Sequence, residues 1–294
     1  MAIKIQDGLA TRRSGTLSKQ GKPLTVGALE QALLASYPAQ DAEAWDRTGL
    51  TVGDPAELVR GVAVALDPTV EAVAQAAEAG ANVLVTHHPA FLEPIDSFQP
   101  APSVAANPGA LVWAAIKQGV NLMNFHTALD VSADAQKMLP GLLGLAFERV
   151  LEPVDAAGSK GYGQACRVAA SDGSLTLGQL AARCTSVFGR QPRVWGDFGR
   201  DLERIATATG SAGSLGRTCL RERIDCLVAG EVKYHEALAL AEAGLAVVEL
   251  GHDASELPFA AVLAAAVRGA GVPEGAVCVL DQGRNWAYPE ATRI

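Results

Sequence analysis

The chain has 294 residues, 49% of them hydrophobic and 19% charged, and at 30.4 kDa with a mean hydropathy of +0.17 it has room for one large α/β domain or two modest ones, at roughly 100–200 residues per domain. The formal net charge of −8 and a pI near 5.2 argue against a surface that neutralises many nucleic-acid phosphates. The longest apolar run, Phe259 to Val267, falls short of the ~20 residues needed to cross a bilayer. Met1 to Gly21 is polar and has no apolar stretch of the secretory kind, so a cytoplasmic location is expected. The cysteines, Cys166, Cys184, Cys219, Cys226 and Cys278, are odd in number and form no C-x-x-C pair. They read as buried thiols in a reducing compartment, not as a disulfide framework or zinc ribbon.

In chain order, residues 1–23 carry Lys4, Arg12, Arg13, Lys19 and Lys22 against Asp7 and read as a mobile basic arm. Leu24 to Tyr37 has leucines at helical spacing. WDRTGLTVGDP (45–55) is a glycine-punctuated loop around a short strand. Strands are expected at GVAVAL (61–66), ANVLVT (81–86) and VNLMNF (120–125), with helices over Thr69–Glu78 and Val104–Lys117 between them. Residues 150–200 are less regular and suggest a strand at 167–170, a helix within 175–188 and a strand at 193–195. The alternation then returns, with strands at 204–209, 226–229 and 245–250 and helices at 234–243 and 258–269. Short apolar strands alternating with helices indicate βαβ units and mainly parallel sheets covered by helices. The weaker middle predicts two α/β lobes.

The histidines are the most informative residues. His87 and His88 end one strand, and His126 ends another with Asp130 four residues on. His252 ends a third with Glu256 four residues on, and His235 lies one helical turn beyond a fourth. Ligands of open parallel sheets collect outside the carboxyl ends of the strands. Consecutive residues leaving a strand point to opposite sides, so His87 and His88 could each face a different ion. His252 and Glu256 share one helical face. Asp130 and Glu256 add carboxylates able to bridge two cations. Such a mixed set suits Zn, Fe, Mn, Co or Ni. Asp67 and Glu231 also sit at strand ends, as substrate contacts, proton acceptors or helix caps. GSAGSLG (210–216) is neither a dinucleotide fingerprint nor a P-loop. It reads as a turn, or as a loop whose backbone amides contact phosphate or an oxyanion. No G-x-S-x-G elbow and no H-E-x-x-H is present.

The segments WDRTGLTVGDP (45–55), VALDPT (64–69), VLVTHHPAF (83–91), NFHTALD (124–130), ATGSAGS (208–214), GEVKYHEAL (230–238) and ELGHDASE (249–256) together resemble the NIF3 family, also called YbgI or DUF34. Its members often carry the label GTP cyclohydrolase 1 type 2 homolog. The likeness spans about residues 24–294. It implies an α/β chain of two lobes with a dinuclear metal site between them, assembled as a ring-like hexamer, in the short form without an inserted domain. By motif, the family's ligands fall on His87, His88, Asp130, His252 and Glu256. Ala229 departs from the pattern, where threonine is expected. The expected divisions are an arm (1–23), a first lobe (24–130), a connecting and second-lobe part (131–205), and a segment completing the metal site (206–294). Two functions follow: a metal-dependent hydrolase acting on a small molecule, with His126, Glu231 or His235 as proton carriers, or a metal-handling accessory that works through partners.

Overall fold

The computed structural model describes residues 23–100, 108–169, 173–283 and 285–286. The basic arm, apart from Pro23, and the expected helix start at Val104 lie outside these residues. The described part is a mixed α/β fold with two large sheets.

The first sheet is built from β1 (Gly49–Val52), β2 (Val62–Ala65), β3 (Val83–Thr86) and β4 (Asn121–Asn124). Its order is β1-β4-β3-β2, closed on the far side of β2 by β13 (Val277–Val279). All neighbours are parallel except β1 with β4. VAVA and VLVT are buried along their whole length, as strands covered on both faces must be. Alternate side chains enter two cores. Val62, Val64, Val83 and Val85 pack with α1 (Val26–Ser36) and α10 (Phe259–Gly269). Ala63, Ala65 and Leu84 pack with α2 (Val70–Glu78) and α3 (Pro108–Gln118). Thr25 and Thr69 start α1 and α2 by accepting hydrogen bonds from Ala28 N and Ala72 N at 3.1 and 3.0 Å, which satisfies amides left over at a helix start.

The chain then passes through α4 (Thr127–Asp130) and α5 (Ala133–Leu142) into the second sheet. Its strands are β5 (Leu145–Pro153), β6 (Gly161–Val168), β8 (Arg193–Trp195), β10 (Arg204–Ser211), β11 (Cys226–Glu231) and β12 (Ala246–Glu249), in the order β5-β6-β10-β11-β12-β8. Only β10, β11 and β12 run parallel to one another. The edges are antiparallel. α6 (Leu177–Phe188) packs on one face, and α7 (Leu215–Arg221) and α8 (Tyr234–Glu242) on the other. A small pair, β7 (Leu175–Thr176) and β9 (Asp201–Leu202), lies beside it. The β5–β6 hairpin is not visible in the sequence pattern. A register shift between Phe147 and Arg149 breaks the period of two, and four successive residues of this edge strand face solvent.

α9 (His252–Glu256) joins the sheets. It follows β12 of the second sheet and runs directly into α10, whose Phe259, Leu263 and Val267 fill the first core. All five cysteines are free thiols, four of them buried. No helix among the described residues is long and apolar enough to cross a membrane. Phe259→Ala would open a cavity where α10 meets the first sheet. It should lower the unfolding free energy by about 3–5 kcal/mol, which urea denaturation followed by circular dichroism measures.

Candidate metal centre

His87 and His88 leave the carboxyl end of β3, and Asp130 closes α4 just past β4. His252 and Glu256 lie on α9, just past β12. The two sheets thus present their strand ends to each other. His87 Nε2 lies 3.6 Å from Asp130 Oδ1 and 3.8 Å from Glu256 Oε1. On the other side of the same carboxylate, Glu256 Oε2 is 3.0 Å from His88 Nε2 and 3.2 Å from His252 Nε2. Two groups able to hold an ion result, His87–Asp130–Glu256 and His88–His252–Glu256, and they share Glu256. His126 joins His87 and His88 in a third, with its ring centroid 5.1 and 5.4 Å from theirs.

Each of these imidazoles is held from behind. His87 Nδ1 donates to the Phe125 carbonyl at 3.1 Å. His88 Nδ1 donates to Asp67 at 2.7 Å, His126 Nδ1 to Asp46 at 3.2 Å, and His252 Nδ1 to Glu231 at 3.2 Å. A carbonyl can only accept, so a proton sits on His87 Nδ1 and Nε2 is the atom turned toward Asp130 and Glu256. That atom and Asp130 Oδ1 are buried without a hydrogen bond. Two such atoms facing one small volume beside the Glu256 carboxylate are costly unless protons or a cation lie among them. An outward-held Nδ1 and an inward Nε2 is also how metal-ligating histidines are oriented. The donor set therefore fits divalent ions.

The charges are coupled. Burial alone would raise the Glu256 carboxyl, but hydrogen bonds from His252 and His88 and the adjacent His87 imidazole hold it far below the usual carboxylate range. Burial opposes the charge on His88, yet hydrogen bonds to Asp67 and Glu256 carry its pKa to about 10. The hydrogen bond to Glu256 raises His252 to about 9. Burial pushes Asp130 upward, with Glu256 adding to the effect and His87 opposing it. Asp46 falls to about 2, because its hydrogen bonds from His126 and Thr127 outweigh burial.

The backbone allows this crowding at few points. Gly210, at φ +55 on β10, leaves room where a Cβ would stand 2.3 Å from Glu256 Oε1. Gly210 N also donates to Ser255 Oγ at 2.9 Å, which ties α9 to the end of β10. Arg190 grips Asp253 with two hydrogen bonds of 2.9 and 2.8 Å and fixes the other side of α9. Sequence reasoning missed Asp46, Ser255 and Arg190. Asp46 alone had a signal, its place in the WDRTG loop. Asp67, open between several roles in the sequence, is the acceptor behind His88, while Thr69 caps the following helix. His235 is not brought to the cluster. It is exposed on α8, and its ring contact is with Tyr234 at 5.2 Å. Ala229 is buried on β11 among the residues that pack with α7 and α8.

Fold and cluster define the class: a two-sheet α/β protein whose strand ends meet at a shared imidazole–carboxylate site. The chain belongs to the Duf34/NIF3 (NGG1p interacting factor 3) family, whose model matches residues 24–282. A Streptomyces coelicolor protein named GTP cyclohydrolase 1 type 2 homolog is 33% identical over 237 residues, covering 78% of this chain and 80% of that one. Among solved structures, a Staphylococcus aureus hypothetical protein, SA1388, superposes with a TM-score of 0.79 at 24% identity over 91% of this chain and 100% of its own. The protein ybgI gives 0.72 at 20% identity over 87% and 96%. At these identities the structures support the fold.

In the metal-free protein, raised His88 and His252 stabilise the fold fully below their unfolded pKa of about 6.5, and that contribution is lost as pH rises through about 9 to 10. Stability of the metal-free chain should therefore fall between roughly pH 6.5 and 10. Glu256→Gln should flatten this dependence and return both imidazole titrations toward the ordinary range, as followed by NMR.

Proposed function

We propose that the chain holds two divalent ions and uses them as a hydrolase. His87, Asp130 and Glu256 would hold one ion, and His88, His252 and Glu256 the other. The observation that carries this reading is the pair of buried polar atoms without hydrogen bonds, His87 Nε2 and Asp130 Oδ1, converging with the buried Glu256 carboxylate from both sheets. Mixed imidazole and carboxylate ligation suits Zn, Fe, Mn, Co or Ni. Bound ions of this kind supply Lewis acidity and bring a water's pKa toward neutrality.

The chain's own residues would do the rest. His126, held by Asp46 through Nδ1, is the proton carrier, because it borders His87 and His88 while its ion pair among the described residues is with Asp46 and not with Glu256. Glu231 positions His252. A cavity of about 220 Å³ beside Asp130, with Tyr162, Gln164, Thr209 and Ser211 in its wall, offers hydrogen-bonding groups to a bound substrate. A wider cleft of about 710 Å³ opens at His88, His126 and His252 between Pro89, Phe91 and Leu92. Its apolar sides suit the flat face of a heterocycle and limit water there. The relatives' name places GTP first on the substrate panel, followed by cyclic amides and phosphoesters.

The test is turnover of that panel by metal-loaded protein, by the chelated protein and by Glu256→Gln. Hydrolysis that needs the metal and is lost in Glu256→Gln supports the reading. Rapid metal exchange with no turnover overturns the hydrolase and leaves the accessory role. His88 and His252 carry protons at pH 7 when no metal is present, and ligation must displace them. Calorimetry in buffers of different ionisation enthalpy should therefore show about two protons released at pH 7, and tighter binding as pH rises. Gly210→Ala places a methyl group against Glu256 Oε1. It should reduce metal affinity at least about ten-fold, in the range seen when a ligand's support is disturbed, with the circular dichroism spectrum retained.

A further inference from the structure

The GSAGSLG loop has a second face. Ser211, Gly213 and Ser214 wall the cavity beside Asp130 and also a separate pocket of about 330 Å³, completed by Arg217 on α7 and Lys233 and Glu236 at the start of α8. Arg217 and Lys233 make no side-chain hydrogen bond or ion pair with any described residue. This contrasts with Arg149, Arg167, Arg190 and Arg193, each paired with a carboxylate. Gly213 is left-handed at φ +51 and Ser214 is right-handed at φ −83. That succession turns neighbouring amides toward one side and forms an anion-binding concavity. The Ala212 and Leu215 amides are engaged by the Glu231 and Ala212 carbonyls, whereas those of Gly213 and Ser214 have no backbone acceptor. The pocket adjoins the cluster directly, because Glu231 lines it and reaches His252 Nδ1 at 3.2 Å.

We propose that this pocket is a phosphate subsite, which anchors the phosphate of a phosphorylated small molecule between Arg217, Lys233 and the Ser211–Ser214 loop. Arg217 offers a fork of N–H donors, and Lys233 a compact charge. The loop supplies the Ser211 hydroxyl and two amides, while Ser214 Oγ donates to Glu152 at 3.3 Å on the side of the other cavity. Glu236 faces the same space as an opposing charge and keeps affinity moderate, as release after turnover requires. The anchored ester then extends past Glu231 toward His252. This last step rests on the hydrolase reading above, whereas the phosphate site itself does not.

The full-length protein, stripped of divalent ions with EDTA and dialysed, is titrated with inorganic phosphate at low ionic strength by calorimetry. The wild type should bind phosphate, with methyl phosphate as competitor. Arg217→Ala and Lys233→Ala should each weaken binding about ten-fold, the scale of a lost charge-assisted contact, and Glu236→Gln should tighten it. Both cations are exposed, so these variants should keep the wild-type circular dichroism spectrum. The proposal is overturned if the wild type shows no phosphate binding, if chloride at equal ionic strength gives the same response, or if the Arg217→Ala/Lys233→Ala double variant binds as before. Metal uptake is measured on the same preparations. A double variant that loses phosphate but keeps metal supports two separate subsites. A wild type that takes up no metal sinks the hydrolase reading and leaves the phosphate result standing.

Discussion

One buried carboxylate organises this molecule. Glu256 is 3% exposed, and a carboxylate withdrawn from water is costly unless charge and hydrogen bonds replace its solvation. Here the replacement comes from three imidazoles at 3.0 to 3.8 Å, two from the first sheet and one from its own helix. The compensation is lopsided. His88 and His252 face one oxygen, while the other meets Nε2 of His87 and, beyond it, Asp130. The protons on His88 and His252 answer one side of the carboxylate, while His87 Nε2 and Asp130 Oδ1 stay without a hydrogen bond. A proton or a cation placed among them would balance the cluster.

The fold makes that convergence possible through its chain path. α9 is the segment between β12 of one sheet and α10 of the other core, so packing on both sides determines where His252 and Glu256 stand. Phe259, three residues beyond Glu256, is wholly buried in the first core and also lies 4.7 Å from the His87 ring. The core thereby supports the histidine and the helix that faces it. From the other side, Ser255 and Gly210 clamp α9 to β10, and Arg190 holds Asp253. A site built between rigid sheets from supports of this kind keeps its geometry better than one carried on a free loop.

The legible parts of the sequence were those with local signals. VAVA, VLVT and NLMN read as strands because they are short and apolar, and the histidines stood out because so few are present and four lie near strand ends. The spacing of His252 and Glu256 already predicted that they share a helical face, and α9 keeps them there. What stayed hidden was non-local. β13 is three residues of partly exposed strand, too short to announce itself, and its pairing with β2 spans most of the chain. Asp46 lies 80 residues from His126, so no spacing rule could join them. His235 shows the converse. Its place one turn past a strand resembled that of the other histidines, but the first turn of α8 leaves it exposed and outside the imidazole–carboxylate cluster.

Because α9 is shared by both cores, energy gained at the cluster is also energy gained in docking the two sheets. A ligand that binds only the assembled arrangement stabilises it by mass action, and here the ligand can be either protons or a cation. The two compete for His88 and His252, and also on the His87 side, where burial pushes the Asp130 carboxyl toward its protonated form. A cation positioned by Asp130, His87 and the near oxygen of Glu256 would relieve the remaining acceptors and tighten the contact between β3, α4 and α9 together. The close approach of the two sheets is thus built around a buried carboxylate pair whose charge bound protons or a cation must balance.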